Sequence, residues 1–139
     1  MIKKIDHIAV IVPDLQEGMG FWVDTLGLPL HRVEEVADQQ VRVAFVPAGD
    51  SDIELLQPTD NDSGVARYLQ KRGPGIHHIC FEVDNITETL AQLKAANVPL
   101  INETPTVRPD GKKFAFLHPK GTGGVLIELY ELSPTNGER

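Results

Sequence analysis

The chain of 139 residues is long enough for one compact domain with a core, and its hydrophobic fraction of 41% is typical of globular proteins. Its net charge of −7 argues against a nucleic-acid-binding protein or a binder of anionic membranes. No apolar run approaches the roughly 20 residues of a membrane span. The single Cys80 excludes an internal disulfide and is typical of a reducing compartment. We therefore expect a cytoplasmic protein with one domain over 1–139.

The predicted elements of the first half run from a strand at residues 5–12 to a strand at 52–57. Asp6 and His7 interrupt the apolar run near the start, so we interpret this segment as a strand and not as a signal peptide. Asp14 is a candidate N-cap for a helix over 15–26, and strands follow near 30–36, 40–47 and 52–57. A short connecting helix is predicted within 62–75, before Gly73, Pro74 and Gly75.

The second half repeats the first. The sequence IDHIAVIV (5–12) aligns with IHHICFEV (76–83), VAFV (43–46) with FAFL (114–117), and IELL (53–56) with IELY (127–130). A helix over 86–96 follows the N-cap candidate Asn85, with strands near 99–105, 113–118 and 124–130. Gly27 and Asn97 both suit the left-handed position after a helix. Each half is therefore a predicted βαβββ module, over about 3–58 and 75–132, with a connector over about 59–74.

The repeat also selects four polar residues. His7 is equivalent to His78 and Glu54 to Glu128, and all four lie within apolar strand segments. A carboxylate in such a segment is costly to bury unless it is paired or bound to a metal ion. Two imidazoles and two carboxylates suit a divalent ion such as Zn, Co, Ni, Mn or Fe. We predict that the two modules place these four residues around one shared metal site.

The functions of the other histidines and of the basic residues near the end of the chain are less clearly indicated by the sequence. His77 has no histidine counterpart, because Asp6 occupies the equivalent position, and side chains alternate across a strand, so we expect His77 to be structural. His31 has the position of a surface residue, and His118 could face a substrate or be structural. Basic residues between 108 and 120 form either a solvated turn or a substrate contact; the candidates are Arg108, Lys112, Lys113 and Lys120.

The chain resembles the vicinal oxygen chelate superfamily, which includes glyoxalases, extradiol dioxygenases and antibiotic-resistance proteins. Within it the chain is most similar to the methylmalonyl-CoA epimerases. The resemblance covers residues 3–132 and depends most on LQKRGPGIHHICFEVDNI and GKKFAFLHPKGTGGVLIELYEL. It implies an α+β fold in which two tandem βαβββ modules form one cupped, barrel-like mixed sheet around a metal site. It places the metal ligands at His7, Glu54, His78 and Glu128, and it implies a homodimer.

The resemblance further implies a metal-dependent isomerase that interconverts the (R) and (S) forms of methylmalonyl-CoA by proton transfer through an enolate. One divalent ion per chain, Co, Mn, Ni or Zn, is expected, with Glu128 and Glu54 as acid–base residues. Lys112, Lys113, His118 and Lys120 are the candidate contacts to the acyl-CoA. Some epimerases carry a base where this chain has Val43 and glutamine where it has Glu54.

Other activities of the superfamily remain open alternatives. A glyoxalase, which isomerises a glutathione hemithioacetal, would use the same ligand set. A dioxygenase is disfavoured, because it needs two histidines and one carboxylate with open positions for oxygen. A non-catalytic binder of small molecules would not need the four polar residues.

Overall fold

The computed structural model of the chain describes residues 1–132. It divides into two compact units. The first unit is His7–His77, and the second unit is Met1–Asp6 together with the chain from His78 onward. Strand β1 (Ile2–Ile11) changes unit after Asp6, and strand β5 (Gly75–Val83) changes unit after His77.

The first unit contains a four-stranded mixed sheet. After β1 come helix α1 (Leu15–Met19), a π-helical segment (Gly20–Thr25), strands β2 (Arg32–Val36), β3 (Val41–Ala48) and β4 (Ser51–Pro58), and helix α2 (Gly64–Arg72). The strand order is β2-β3-β4-β1. Strands β1 and β4 are parallel, and the other two pairs are antiparallel.

The second unit has the same order of elements. After β5 come helix α3 (Ile86–Ala95) and strands β6 (Thr106–Val107), β7 (Lys113–Leu117) and β8 (Ile127–Glu131). The strand order is β5-β8-β7-β6, with β5 and β8 parallel and the other pairs antiparallel. The predicted α+β class and the repeated βαβββ module are thus confirmed. The assignment of the whole chain to a single domain stays a prediction.

Both predicted N-caps are confirmed. The Asp14 carboxylate accepts hydrogen bonds from the amides of Gln16 at 2.8 Å and Glu17 at 3.3 Å. The Asn85 side-chain oxygen accepts one from the amide of Glu88 at 3.0 Å. These bonds satisfy amides that have no partner within the helix.

Each of these helices is also fixed to the last strand of its own unit. The amide of Leu15 donates to Gln57 Oε1 at 2.7 Å, and the amide of Ile86 donates to Glu131 Oε1 at 2.7 Å. The repeat therefore extends from the order of elements to the hydrogen bonds that hold helix against sheet.

Helix α1 and strand β6 depart from the predicted bounds. The helix becomes π-helical from Gly20, and the amide of Leu26 donates to the carbonyl of Phe21. Glycine has a low helix propensity, which weakens the regular helix around Gly18 and Gly20. A Cβ at Gly18 would lie 3.1 Å from Val12, so this glycine also allows the helix to approach the strand closely.

The strand predicted over 99–105 is wrong for most of its length. In this stretch only Leu100 forms a bridge, with Leu117, and regular pairing begins at Thr106. Pro99 and Pro105 lack the amide that a strand needs. The Asn102 side chain instead accepts the hydrogen bond from the amide of Phe116, at 2.8 Å.

In each unit, a helix packs against one face of the sheet, and apolar side chains fill the space between them. Helix α1 covers the core Val10, Val12, Leu15, Ala44, Val46 and Leu55 of the first unit. Helix α3 covers the core Val83, Ile86, Leu90, Ala115, Leu117 and Leu129 of the second unit. Helix α2 packs on the opposite face of the first sheet, against Ala9, Ile11, Val41, Val43 and Leu56. Within residues 1–132, no helix combines the length and the apolar character that crossing a membrane requires.

Candidate metal and acid–base site

The first unit contains a histidine–carboxylate pair on neighbouring parallel strands. His7 Nδ1 lies 3.2 Å from Glu54 Oε2, and the two side chains are 10% and 16% exposed. Ala9 is directly opposite Glu54 in the β1–β4 register. Because side chains alternate along a strand, His7 projects from the same face as Ala9 and reaches Glu54 diagonally.

The second unit contains the equivalent pair. His78 Nε2 lies 3.0 Å from Glu128 Oε1, and the side chains are 10% and 8% exposed. Cys80 is directly opposite Glu128 in the β5–β8 register, so His78 again stands two residues before the position that faces the glutamate. The two pairs therefore share their register, the face of the strand and a similar distance, whereas the nitrogen nearest the glutamate is Nδ1 in His7 and Nε2 in His78.

The atoms of each pair have the spacing of two ligands on one divalent ion. Donor atoms bound at about 2.0–2.2 Å lie roughly 3 Å apart when their bonds are perpendicular. The observed separations of 3.2 and 3.0 Å match that spacing. Imidazole nitrogen and carboxylate oxygen also suit first-row divalent ions. Each pair fits two positions of a metal site.

Other buried polar side chains have structural partners. Ser63 accepts a hydrogen bond from the amide of Ala66 at the start of α2. Glu82, on the same strand face as His78, forms an ion pair of 3.2 Å with Lys3. A buried carboxylate is costly without such a partner. The charge of Lys3 therefore accounts for Glu82 without a metal ion.

The remaining three histidines have contacts with other residues. His77 forms an edge-to-face contact with the Tyr68 ring, at 4.8 Å between centroids. His31 is exposed, next to the Arg32 guanidinium. His118 is also exposed, and its Nδ1 accepts a hydrogen bond from the amide of Lys120 at 3.0 Å, which closes the short turn of Pro119–Gly121.

The basic cluster is divided between the two faces of the second sheet. Phe114 is opposite Tyr130 in register, and both lie on the face that carries Glu128. Arg108 stacks on the Phe114 ring at 4.7 Å, and the Lys112 ammonium lies 6.0 Å from the Tyr130 ring centroid. These two cations therefore border the Glu128 face.

Lys113 lies on the other face of β7, with the helix α3 core. Its ammonium is 3.8 Å from Glu131, whose carboxylate also accepts a hydrogen bond from the amide of Ile86. Lys113 thus balances the charge of a carboxylate that fixes α3. Lys120 is exposed beyond the end of β7.

Tyr130 stays protonated over the ordinary pH range. Burial, and next the negative charge of Asp6, raise the pKa of its hydroxyl above the ordinary value of 10.0. The Glu128 face therefore presents a neutral phenol beside the two cations.

A pair of phenylalanines was not selected as functional from the sequence. Phe45 is directly opposite Glu54, and Phe116 is directly opposite Glu128. Both rings are half-buried, so each half presents an aromatic ring beside its glutamate. The signal was available, because the alignment of VAFV with FAFL places these two residues at equivalent positions.

Val43 lies on the same face of the first sheet as Glu54. It is buried among Ala9, Val41 and Leu56, and it is opposite Leu56 in register. Its apolar surroundings would raise the cost of a charge at this position. Val43 is thus part of the apolar core of the first unit.

The chain is similar to known proteins over most of its length. Residues 6–116 match the family model described as the Glyoxalase/Bleomycin resistance protein/Dioxygenase superfamily. The chain is 39% identical to the mitochondrial methylmalonyl-CoA epimerase of Homo sapiens over 129 residues, which are 92% of this chain and 73% of the relative. It is 36% identical to the ethylmalonyl-CoA/methylmalonyl-CoA epimerase of Cereibacter sphaeroides over 134 residues, 95% of this chain and 100% of the relative.

A solved structure shows the same fold. A variant of the Streptomyces coelicolor methylmalonyl-CoA epimerase, in complex with 2-nitronate-propionyl-CoA, superposes with a TM-score of 0.86 at 32% sequence identity. The match covers 96% of this chain and 97% of that one.

Proposed function

Since the chain belongs to the Glyoxalase/Bleomycin resistance protein/Dioxygenase superfamily, we propose that it is an epimerase that interconverts the (R) and (S) forms of methylmalonyl-CoA. The observation that carries the proposal is the duplicated histidine–glutamate pair, because it supplies one acid–base carboxylate from each half of the chain. The names of the human and Cereibacter sphaeroides relatives support the same substrate class.

We propose that His7, Glu54, His78 and Glu128 together hold one divalent ion, Co, Mn, Ni or Zn. The spacing within each pair and the composition of the set support this assignment. When bound, such an ion supplies Lewis-acid stabilisation of the negative charge that develops on the substrate oxygens.

The two glutamates have complementary roles in the proposed reaction. Epimerisation removes the α-proton from one face of the carbon and delivers a proton to the other face. Glu128 accepts or donates the proton on one face, and Glu54 does so on the other. Val43 supplies no third carboxylate, which supports the assignment of the second role to Glu54.

The substrate also carries a carboxylate and the phosphates of CoA, which need cationic contacts. Arg108 is the best-supported contact, because it borders the Glu128 face against the Phe114 ring. Lys112 also borders this face, near the Tyr130 ring, and its ammonium lies 3.6 Å from Asp110. His118 and Lys120 remain proposed contacts at the exposed end of β7. The ion pair of Lys113 with Glu131 favours a structural role for this lysine.

We also propose that the protein is a homodimer, as the family resemblance implies. Light scattering of the purified protein would then give about twice the chain mass of 15.3 kDa. A mass equal to one chain would contradict the proposal.

The test of the activity is to incubate the metal-loaded protein with one stereoisomer of methylmalonyl-CoA in deuterium oxide. Epimerisation predicts a mixture of both stereoisomers with deuterium at the α-carbon, measured by NMR and by chiral analysis. The glutathione hemithioacetal of methylglyoxal, run in parallel, tests the glyoxalase alternative. Turnover of the hemithioacetal alone would contradict the proposal, as would no turnover of either substrate.

A further inference from the structure

Phe116 is the more exposed of the two residues that directly face Glu128 across the sheet. Two residues are directly opposite Glu128 in the sheet, Cys80 on β5 and Phe116 on β7. Cys80 is fully buried, whereas Phe116 is half-buried. Side chains that face each other across strands lie within about 5.5 Å, so the Phe116 ring is the apolar surface that a molecule touching Glu128 would meet.

The Phe116 ring is held in place from several directions. Its centroid lies 5.6 Å from the His78 ring and 6.1 Å from the Phe114 ring, both in edge-to-face contacts. Its backbone amide donates to Asn102 Oδ1, and its carbonyl accepts hydrogen bonds from the amides of Ile101 and Asn102. The three hydrogen bonds fix the backbone that carries the ring, and moving the ring aside would lose both aromatic contacts.

The chemistry of the proposed substrate places its alkyl group near this ring. Proton transfer requires the α-carbon about 3–3.5 Å from the carboxylate oxygen of Glu128. Besides the proton, this carbon carries two polar groups and one apolar alkyl group. The polar groups interact favourably with the cations and histidines of the site, whereas the alkyl group is most stable against an apolar surface.

We infer that Phe116 limits the size of the alkyl group that the enzyme accepts on the α-carbon, and so sets the preference for methylmalonyl-CoA over acyl-CoA substrates with longer branches. The inference rests on the proposed epimerase function. A larger space in place of the ring would accept one more methylene, which is worth about tenfold or more in an apolar pocket.

The test compares ethylmalonyl-CoA with methylmalonyl-CoA in Phe116→Ala and Phe116→Leu, by the rate of α-proton exchange with deuterium oxide. The measured quantity is the ratio of kcat/KM for the two substrates, because a general loss of activity cancels from it. Phe81→Leu is the matched control: Phe81 is half-buried in the same unit but packs on the helix face of the sheet.

The inference predicts that this ratio rises about tenfold in Phe116→Ala, less in Phe116→Leu, and stays within twofold in Phe81→Leu. An unchanged ratio in both Phe116 variants would overturn it, as would an equal rise in the control. If the wild-type protein exchanges neither substrate, the epimerase function itself fails. If the wild type exchanges methylmalonyl-CoA and the ratio is constant, the role of Phe116 alone fails.

Discussion

His78 Nε2 lies 3.0 Å from Glu128 Oε1, across two parallel strands and two residues from the position that directly faces the glutamate. His7 and Glu54 have the same strand register, with His7 Nδ1 at 3.2 Å from Glu54 Oε2. A single histidine–glutamate contact is common in a folded protein. Its repetition at equivalent positions of two modules is what indicates a shared function.

Substitution of the two adjacent histidines should have different effects on the affinity for a metal ion. We expect His78→Ala to lower the affinity for Co or Zn at least about tenfold, because even residues behind the ligands contribute tenfold or more. His77→Ala, which removes a ring that contacts Tyr68 and no proposed metal ligand, should stay within twofold. Metal competition titrations of the two variants measure this difference. Equal affinities would contradict the assignment of His78 as a ligand.

Removal of an N-cap should destabilise the first helix. Asp14→Ala leaves the amides of Gln16 and Glu17 without their acceptor, and we expect the free energy of unfolding to fall by about 1 kcal/mol. Asp24→Ala is the control, because this exposed aspartate lies farther along the same helical segment; it should change stability by less than about 0.5 kcal/mol. Urea denaturation gives both values, and similar losses would refute the capping role.

Two glycines with open space around them should respond to alanine in opposite directions. Gly27 has a φ of 89° and Gly20 a φ of −56°, and a Cβ at either position would meet no atom within 4 Å. Gly27→Ala should lower the free energy of unfolding by about 1–2 kcal/mol, because the left-handed region disfavours a Cβ. Gly20→Ala should raise it by about 0.4–1 kcal/mol. Thermal or urea unfolding compares the two, and a shift of the same sign in both would be inconsistent with this account.

The raised pKa of Tyr130 predicts a loss of stability at high pH. A tyrosine is neutral when protonated, so burial favours its protonated form in the folded protein. The contribution to stability is fully present below about pH 10 and is lost as the pH rises through the higher folded pKa.

The chain has two tyrosines, so Tyr68→Phe leaves Tyr130 alone to titrate. The absorbance of tyrosinate at 295 nm should then increase only at a pH well above 10. Circular dichroism, measured in the same titration, should show unfolding over the same pH range. A rise centred near pH 10 in the folded protein would show that Tyr130 is not perturbed.

The two histidine–glutamate pairs of the candidate site could be predicted from the sequence. Burying a polar side chain costs free energy, so polar residues that recur within apolar strands indicate a function. The duplication of His7 and Glu54 as His78 and Glu128 was visible in the sequence, since the shift between the halves is constant through each strand. The helix ends were predictable for a similar reason: Asp14, Asn85 and the left-handed residues after the helices satisfy local backbone requirements.

Other features depend on contacts that no local pattern contains. Before β6, besides the missing amides of Pro99 and Pro105, the Asn102 side chain takes the place of a strand acceptor for the amide of Phe116. The alignment of VAFV with FAFL shows that Phe45 and Phe116 are equivalent, but it does not show that they face the candidate site, because a core residue and a residue that faces the site have the same apolar character. The side of Lys113 was predictable from alternation, since it adjoins Phe114, which faces Tyr130.

The central claim is that Glu54 acts in proton transfer as well as in metal binding. The most direct test is the exchange of the methylmalonyl-CoA α-proton with deuterium oxide, measured by NMR for the wild type and for Glu54→Gln at matched metal content. Glutamine keeps an oxygen that can bind the metal ion but cannot act as a base at neutral pH. We expect the variant to retain much of its metal and to lose most of the exchange. Full exchange by metal-loaded Glu54→Gln would contradict it.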